Sequence, residues 1–288
     1  MGKSVGLFGL GLIGMALARR LLAAGHTVSG FDVDTSREAL LVEAGGTPAD
    51  PAILWQADIL LSAVFSTEQL AEIIENAPDG TGKTLVTLST CDPDQIAGLE
   101  TTARAKSITL VESPISGTSL QVEKGTALLL LAGDPAGLDT FEEIADAISP
   151  HRQRVGGIGN GNKTKLAINC ILGLNRVAVA EGLVFAEALG LDPGTFLDTA
   201  LQSAARSDVM AAKGPMMVAR EFTPLGRISQ CHKDAKLSRD MATRNAHGGL
   251  PMVARYLDVL ENAEAAGESD LDNSAVFLAI QRMAKAGS

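Results

Sequence analysis

Cysteine is scarce: Cys91, Cys170 and Cys231 stand far apart and form no C-x-x-C pair. That excludes a disulfide framework and a thiolate zinc site, and the three read as reduced thiols of a cytoplasmic protein. Histidine is as sparse. His26, His151, His232 and His247 stand at no metal-ligand spacing, so no metal is expected. Clustered positive charge is missing too. Lys and Arg number 24 against 34 Asp and Glu, a net charge of −10. An acidic chain without a basic patch is not expected to bind nucleic acid or an anionic membrane. Nor is there an uninterrupted membrane-length apolar run. Residues 5–18 are broken by glycines and followed by Arg19-Arg20, so no signal peptide is expected. Residues 166–189 contain Asn169, Asn175, Arg176, Glu181 and Glu187, which suits a buried helix better than a membrane span.

The most informative stretch runs from Val5 to Leu22. A short apolar strand leads into Gly9-x-Gly11-x-x-Gly14, then an amphipathic helix. Gly9 permits the turn, Gly11 lets backbone approach a pyrophosphate, and Gly14 lets helix pack on strand. The helix start, with Leu12 and Ile13, presents N–H groups and a positive dipole end to the anion. A second strand at 27–32 ends in Asp32, 18 residues after Gly14. This is where a carboxylate hydrogen-bonds the adenosine ribose hydroxyls. It repels a 2′-phosphate, and the next residue is Val33, not arginine; Arg37 is the nearest cation downstream. NAD is therefore expected in preference to NADP.

With 288 residues, 46% of them hydrophobic, the chain suits two modest domains. Strands are expected at 4–8, 27–32, 58–62, 84–88, 108–112 and 126–132, with a helix from Pro135 to Ile148 and a last strand near Arg154-Val155. Four glycines within 156–162 mark a boundary. After it the pattern is helix upon helix. The first runs from Lys163 to Leu189 and stops at Gly190. Asp192-Pro193 caps the next, and Pro215, Pro224 and Pro251 punctuate the rest. The expected architecture is α/β: a Rossmann-type doubly wound parallel sheet over 1–162, then an all-helical domain over 163–288. The 163–189 helix is apolar on most of its circumference. A small helical domain covers such a helix only in part, so a homodimer or homotetramer is expected.

Three constellations carry chemistry. Lys165 and Asn169, four apart, project from one helix face just after the glycine boundary. A lysine beside an apolar helix start suits proton transfer with a hydroxyl or carbonyl oxygen, and the asparagine holds it or the substrate. Taken alone, the pair is ordinary; most lysines in a first turn are solvated. The segment 112–118 (Glu-Ser-Pro-Ile-Ser-Gly-Thr) follows a strand at the carboxyl edge of the sheet. There Ser116 and the N–H groups around Gly117 suit a carboxylate, although a plain Pro/Ser/Gly loop has the same composition. His232-Lys233-Asp234 precedes an amphipathic helix. Lys233 suits a carboxylate or the cofactor, or is simply solvated, with Asp234 a first-turn acid.

In this order the pieces resemble the β-hydroxyacid dehydrogenase family. The likeness rests on the glycine loop through Ala18, on Leu88-Ser89-Thr90 with Pro93, on Ser113 to Gly117, on Gly125-Thr126, on Gly159-x-Gly161-x-x-x-Lys165-x-x-x-Asn169 and on Lys233-Asp234. It implies catalysis by Lys165 with Asn169 as its partner. It also implies a substrate loop including Ser116, Gly117 and Thr118, and cofactor contacts from Val64, Thr90 and Lys233. Thr118, Ile168 and Phe65 depart from the family's usual glycine, asparagine and proline. The first two leave the substrate open. The expectation is an NAD-dependent oxidoreductase interconverting a small hydroxy acid and its semialdehyde or keto acid. The alternatives are an imine or ketone reductase, which Lys165 argues against, and a non-catalytic dinucleotide-binding protein.

Overall fold

A computed structural model describes residues 2–245 and 248–286; His247 lies outside them. The chain divides into two compact units, Met1–Lys165 and Leu166–Ser288.

The first unit is a nine-stranded sheet with helices between its strands. The strands are β1 (Ser4–Phe8), β2 (Thr27–Phe31), β3 (Thr47–Pro48), β4 (Ile59–Ser62), β5 (Thr84–Thr87), β6 (Thr109–Glu112), β7 (Ile115–Ser116), β8 (Leu128–Gly133) and β9 (Arg152–Gly156). The helices are α1 (Leu12–Ala23), α2 (Glu38–Glu43), α3 (Pro51–Leu54), α4 (Thr67–Glu75), α5 (Pro93–Ala105), α6 (Ser119–Glu123) and α7 (Pro135–Ile148). The order β3-β2-β1-β4-β5-β6 is parallel throughout and reverses direction between β1 and β4, the switch point where ligands bind in such sheets.

Adjacent residues on one strand enter different cores. Leu7, Leu61, Val86 and Val111 join one buried cluster, while Phe8, Leu60, Leu85 and Leu110 join another. A sheet apolar on alternate sides at every step must be covered on both faces, which is why its strands read as continuous apolar runs.

The sheet departs from the expected all-parallel form at its far end. β8 runs antiparallel to β6 and β7, and only β9 returns parallel to β8. The link from β6 to β8 spends its length on β7 and the five-residue α6, which leaves no crossover helix long enough to reverse the chain. Strand β3, two residues long, and β7 were not expected.

Helix α8 (Asn160–Ala188) begins three residues earlier than the glycine boundary suggests, and the division between the units falls within it. The second unit continues with α9 (Pro193–Gln202), α10 (Asp208–Ala219), α11 (Ile228–Arg244), α12 (Pro251–Ala265) and α13 (Val276–Ala286). Its core joins Ala180 and Leu183 of α8 to Met217, Leu257, Leu260 and Phe277. Pro251 opens α12 as expected, but Pro215 lies inside α10. A proline's fixed φ is helical, so the helix loses a hydrogen bond there without having to end. Helix α8 is long and apolar enough to cross a membrane, and 28% of its most apolar window is buried within the chain.

Candidate active site

The carboxyl ends of five strands form one row. Phe8 pairs in register with Phe31 and Ser62, Ser62 with Thr87, and Thr87 with Glu112. Gly9, Asp32, Val64 and Thr90 follow just beyond that row, and Glu112 opens into the segment 113–118.

Gly9, directly after Phe8, has φ +91, a region that favours glycine. Its N–H donates to the Phe31 carbonyl at 2.8 Å. A Cβ on Gly14 would lie 1.9 Å from the Gly9 carbonyl oxygen, so α1 is packed against the turn as closely as backbone allows. Gly11 is the N-cap of α1 and supplies no side-chain cap. Leu12 and Ile13 follow as the first helical residues. The helix start is therefore shaped to receive an anionic group, and the turn fits a dinucleotide pyrophosphate.

Asp32, buried beyond β2, accepts from the Leu10 N–H at 2.6 Å and the Asp34 N–H at 2.9 Å. Arg37 Nη1 also reaches its carboxylate at 3.0 Å, and Arg37 Nε lies 3.2 Å from Asp34. A Cβ on Gly11 would lie 3.5 Å from that same Nη1, so the guanidinium stands over the glycine loop. The sequence placed Arg37 nearby but did not show it meeting the acid.

Beyond β4, the Val64 carbonyl accepts from Ser89 Oγ at 2.7 Å, and the exposed Phe65 follows. Beyond β5, Thr90 is buried. Ser116 sits in β7, and Gly117 is held closely, since a Cβ there would meet Ala127 Cβ at 2.9 Å. Thr118 has a local task. It is the N-cap of α6, its Oγ1 accepting from the Gln121 N–H at 3.3 Å while its own N–H donates to Gln121 Oε1 at 2.8 Å. The threonine that replaces the family's glycine thus makes a capping box.

Two residues to which the sequence reading gave no role, Glu112 and Asn162, meet in the interior. Glu112 Oε1 accepts from the Asn162 N–H at 3.0 Å and Asn162 Nδ2 at 2.5 Å, and Oε2 accepts from the Gly159 N–H. Burial pushes the Glu112 carboxyl above its ordinary value, against the opposing pull of Asn162 and the backbone donors. Asn162 Oδ1 accepts from the Cys91 N–H at 2.7 Å. Lys165 follows three residues later in α8 and is only 7% exposed, so the solvated reading does not hold for it.

In the second unit, Asn169 Nδ2 donates to Asp234 Oδ2 at 2.8 Å. Gln230 and Lys233 reach Asp234 Oδ1 at 3.1 and 3.0 Å. Asp234 is therefore not a first-turn acid but the anchor of Asn169, inside an α11 that starts at Ile228. Lys233 is paired rather than solvated. His232 Nδ1 lies 2.6 Å from Glu264 Oε2. Among the described residues no cluster of three His, Cys, Asp or Glu side chains is placed to hold a metal ion.

Residues 4–158 match the NAD-binding domain of 6-phosphogluconate dehydrogenase. Residues 159–280 match a domain described as NAD-binding of NADP-dependent 3-hydroxyisobutyrate dehydrogenase. Glyoxylate/succinic semialdehyde reductase 1 of Arabidopsis thaliana is 30% identical over 289 residues, covering 96% of this chain and 98% of that protein. The 2-hydroxy-3-oxopropionate reductase of Escherichia coli K12 is 28% identical over 292 residues, covering 97% and 98%. A solved 3-hydroxyisobutyrate dehydrogenase from Salmonella typhimurium shares the fold with a TM-score of 0.87 at 23% identity, covering 96% of this chain and 99% of that one. The chain belongs to the 3-hydroxyisobutyrate dehydrogenase-like family of β-hydroxyacid dehydrogenases, hydride-transferring oxidoreductases with a nicotinamide-dinucleotide-binding domain.

Proposed function

We propose that the chain is an NAD-dependent dehydrogenase that interconverts a small hydroxy acid with its semialdehyde, with Lys165 as general acid and base. The observation that carries this is the place of Lys165: a buried amine one turn beyond Asn162, whose side chain meets Cys91 in the segment after β5 and Glu112 at the end of β6, on the edge of the sheet where ligands bind in such folds. A bound nicotinamide would supply the hydride acceptor for the alcohol carbon, and the donor in the reverse direction. Lys165 Nζ takes the hydroxyl proton and gives it back in the other direction. Asn169, fixed by Asp234, orients the lysine one turn along the same helix. Ser116 and the N–H groups around Gly117 hold the substrate carboxylate, and Lys233 serves the cofactor. Asp32 accepts from the adenosine ribose hydroxyls. The uncovered apolar face of α8 packs against a second copy in a homodimer or homotetramer; the charged residues on the helix argue against lipid. The protein works in the cytoplasm.

The decisive assay mixes the purified protein with NAD or NADP and a panel of 2- and 3-hydroxy acids, including hydroxyisobutyrate, glycerate, threonate and a hydroxy-sulfonate. Reduced-nicotinamide absorbance rising with NAD on one acid supports the proposal. Turnover of cyclic imines alone, or cofactor binding with no turnover, overturns it.

The cofactor preference has its own test. Asp32→Ala removes the ribose acceptor and leaves Arg37 paired with Asp34 alone. A lost charged hydrogen bond corresponds to roughly ten- to hundredfold in kcat/KM for NAD. NADP is expected to gain relative to NAD, because the carboxylate that repels a 2′-phosphate has gone and a guanidinium remains. Initial rates with both cofactors measure this; an unchanged NAD-to-NADP ratio sinks the assignment of Asp32.

A further inference from the structure

We propose that Glu112 and Asn162 form a buried positioning pair that sets Lys165 relative to the Thr90–Cys91 turn and the substrate loop at 113–118; this rests on the reading of Lys165 as the proton-transfer residue. Both side chains are fully buried. Their hydrogen bonds join three segments that are far apart in sequence. Glu112 ends β6 and opens directly into the loop that carries Ser116 and Gly117. Cys91, whose N–H donates to Asn162 Oδ1, follows Thr90. Asn162 lies in the first turn of α8, three residues before Lys165, and so nearly on the lysine's side of the helix.

The joint is close as well as polar. A Cβ on Gly161 would lie 3.0 Å from Glu112 Cβ, 3.2 Å from Pro114 Cδ and 3.3 Å from Ala132 Cβ. Helix α8 therefore starts hard against the strand ends, and its height is set by what Glu112 and Asn162 accept and donate. A carboxylate is suited to this junction because it accepts from several donors at once, here the Gly159 and Asn162 N–H groups and the Asn162 amide. The amide orientation is fixed by its neighbours: its oxygen must face the Cys91 N–H and its nitrogen the carboxylate. Reacting groups displaced by about 1 Å cost on the order of a hundredfold in rate, so a joint shared by all three segments is where such precision is set.

The pair is tested by exchanging its donor and acceptor. Glu112→Gln turns an NH₂ toward donors, and Asn162→Asp sets one carboxylate against another. Each is expected to lower kcat by roughly ten- to hundredfold, with KM for the hydroxy acid and NADH affinity close to wild type. In the double variant the new carboxamide at 112 donates to the new carboxylate at 162, which still accepts from Cys91, and net charge is unchanged; the 162 N–H, which shares Glu112 Oε1 with the Asn162 amide in the wild type, is the one donor the exchange leaves without its acceptor. It is expected to recover turnover to within a few-fold of wild type. A role in stability alone would shift unfolding without this recovery in kcat. Folded single variants with wild-type kcat, or a double variant slower than both singles, overturn the proposal. Should a single variant fail to fold, the double decides: turnover near wild type supports the pair, and anything else overturns it. If the wild-type chain oxidises no hydroxy acid, the reading of Lys165 itself has failed. The pair is then judged by the rate at which trinitrobenzenesulfonate modifies Lys165, mapped by peptide mass. A rate altered in both singles and restored in the double supports the joint; one that does not change sinks it.

Discussion

Lys165→Ala is expected to slow turnover by roughly 10²–10⁴-fold, the range of a positioned general acid or base, while NAD binding stays near wild type. The cofactor residues proposed in the first unit, Asp32 and the glycine loop, leave the sheet at other strand ends, so truncating the lysine does not touch them. Lys165→Arg separates two roles a cation can play there. A guanidinium keeps the positive charge but does not release its proton at accessible pH. If Lys165 merely neutralised a substrate oxyanion, arginine would preserve much of the rate. If it exchanges a proton, arginine is about as slow as alanine. The buried position, 7% exposed, also means that alanine leaves a space. A small amine such as ethylamine added to Lys165→Ala is expected to restore part of the turnover, and to do nothing for Lys165→Arg. Steady-state kcat at saturating cofactor, with NADH titrated separately by fluorescence, makes both comparisons. Wild-type-like turnover in Lys165→Ala would remove the lysine from the mechanism.

What the sequence showed and what it hid divide along the range of the interaction. The glycine turn, Asp32 after β2 and the placing of Lys165 and Asn169 four apart on one helix are set within a few residues or one supersecondary unit. Local spacing, read together with the order of the motifs, therefore made them visible. The direction of β8 is not local. It depends on the length of the link from β6, and an apolar run looks the same whichever way it pairs. Glu112 was visible as an acid at the end of an apolar strand, which is a weak signal of burial. Its partners, Gly159 and Asn162, lie about fifty residues on, and nothing in the local pattern connects them. Asp234 was quoted beside Lys233, yet its bond to Asn169 spans 65 residues. Thr118 was assigned to the substrate on the strength of its neighbours, although Gln121 three residues later is the mark of a capping box and was legible. Arg37 was seen as a nearby cation, but only the turn at 35–37 brings it back onto Asp32.

The second large effect belongs to the helical unit. Asp272→Asn is expected to lower its stability by about 3–5 kcal/mol, the usual cost of breaking a buried ion pair from one side. Asp272 is fully buried and accepts from Lys213 Nζ at 2.8 and 2.9 Å, from the Leu225 and Gly226 N–H groups at 2.8 and 3.3 Å, and from the N–H and Oγ of Ser274 at 2.9 and 2.8 Å. An amide has one acceptor oxygen and sets its NH₂ against the remaining donors. The two partners are not equivalent. Burial pushes the Lys213 ammonium below its ordinary range even beside Asp272, so the cation is the costly member. Burial also works against the carboxylate, but Lys213 and the N–H groups of Ser274 and Leu225 outweigh it and hold Asp272 below 3.8, its ordinary value. Lys213→Met, which leaves Asp272 its backbone donors, is therefore expected to cost less than Asp272→Asn. The pH dependence follows from the sign of the Asp272 shift. A carboxyl held low in the folded state contributes fully above its ordinary value and loses that contribution as pH falls through its folded value. The carboxyl's own part of the gap between wild type and Asp272→Asn is then constant near neutrality and narrows as pH drops below 3.8. Urea unfolding followed by circular dichroism at several pH values measures it. Equal losses for Asp272→Asn and Lys213→Met would mean that the ion pair, and not the carboxylate's hold on the 225–226 and 274 backbone, stabilises this corner of the fold.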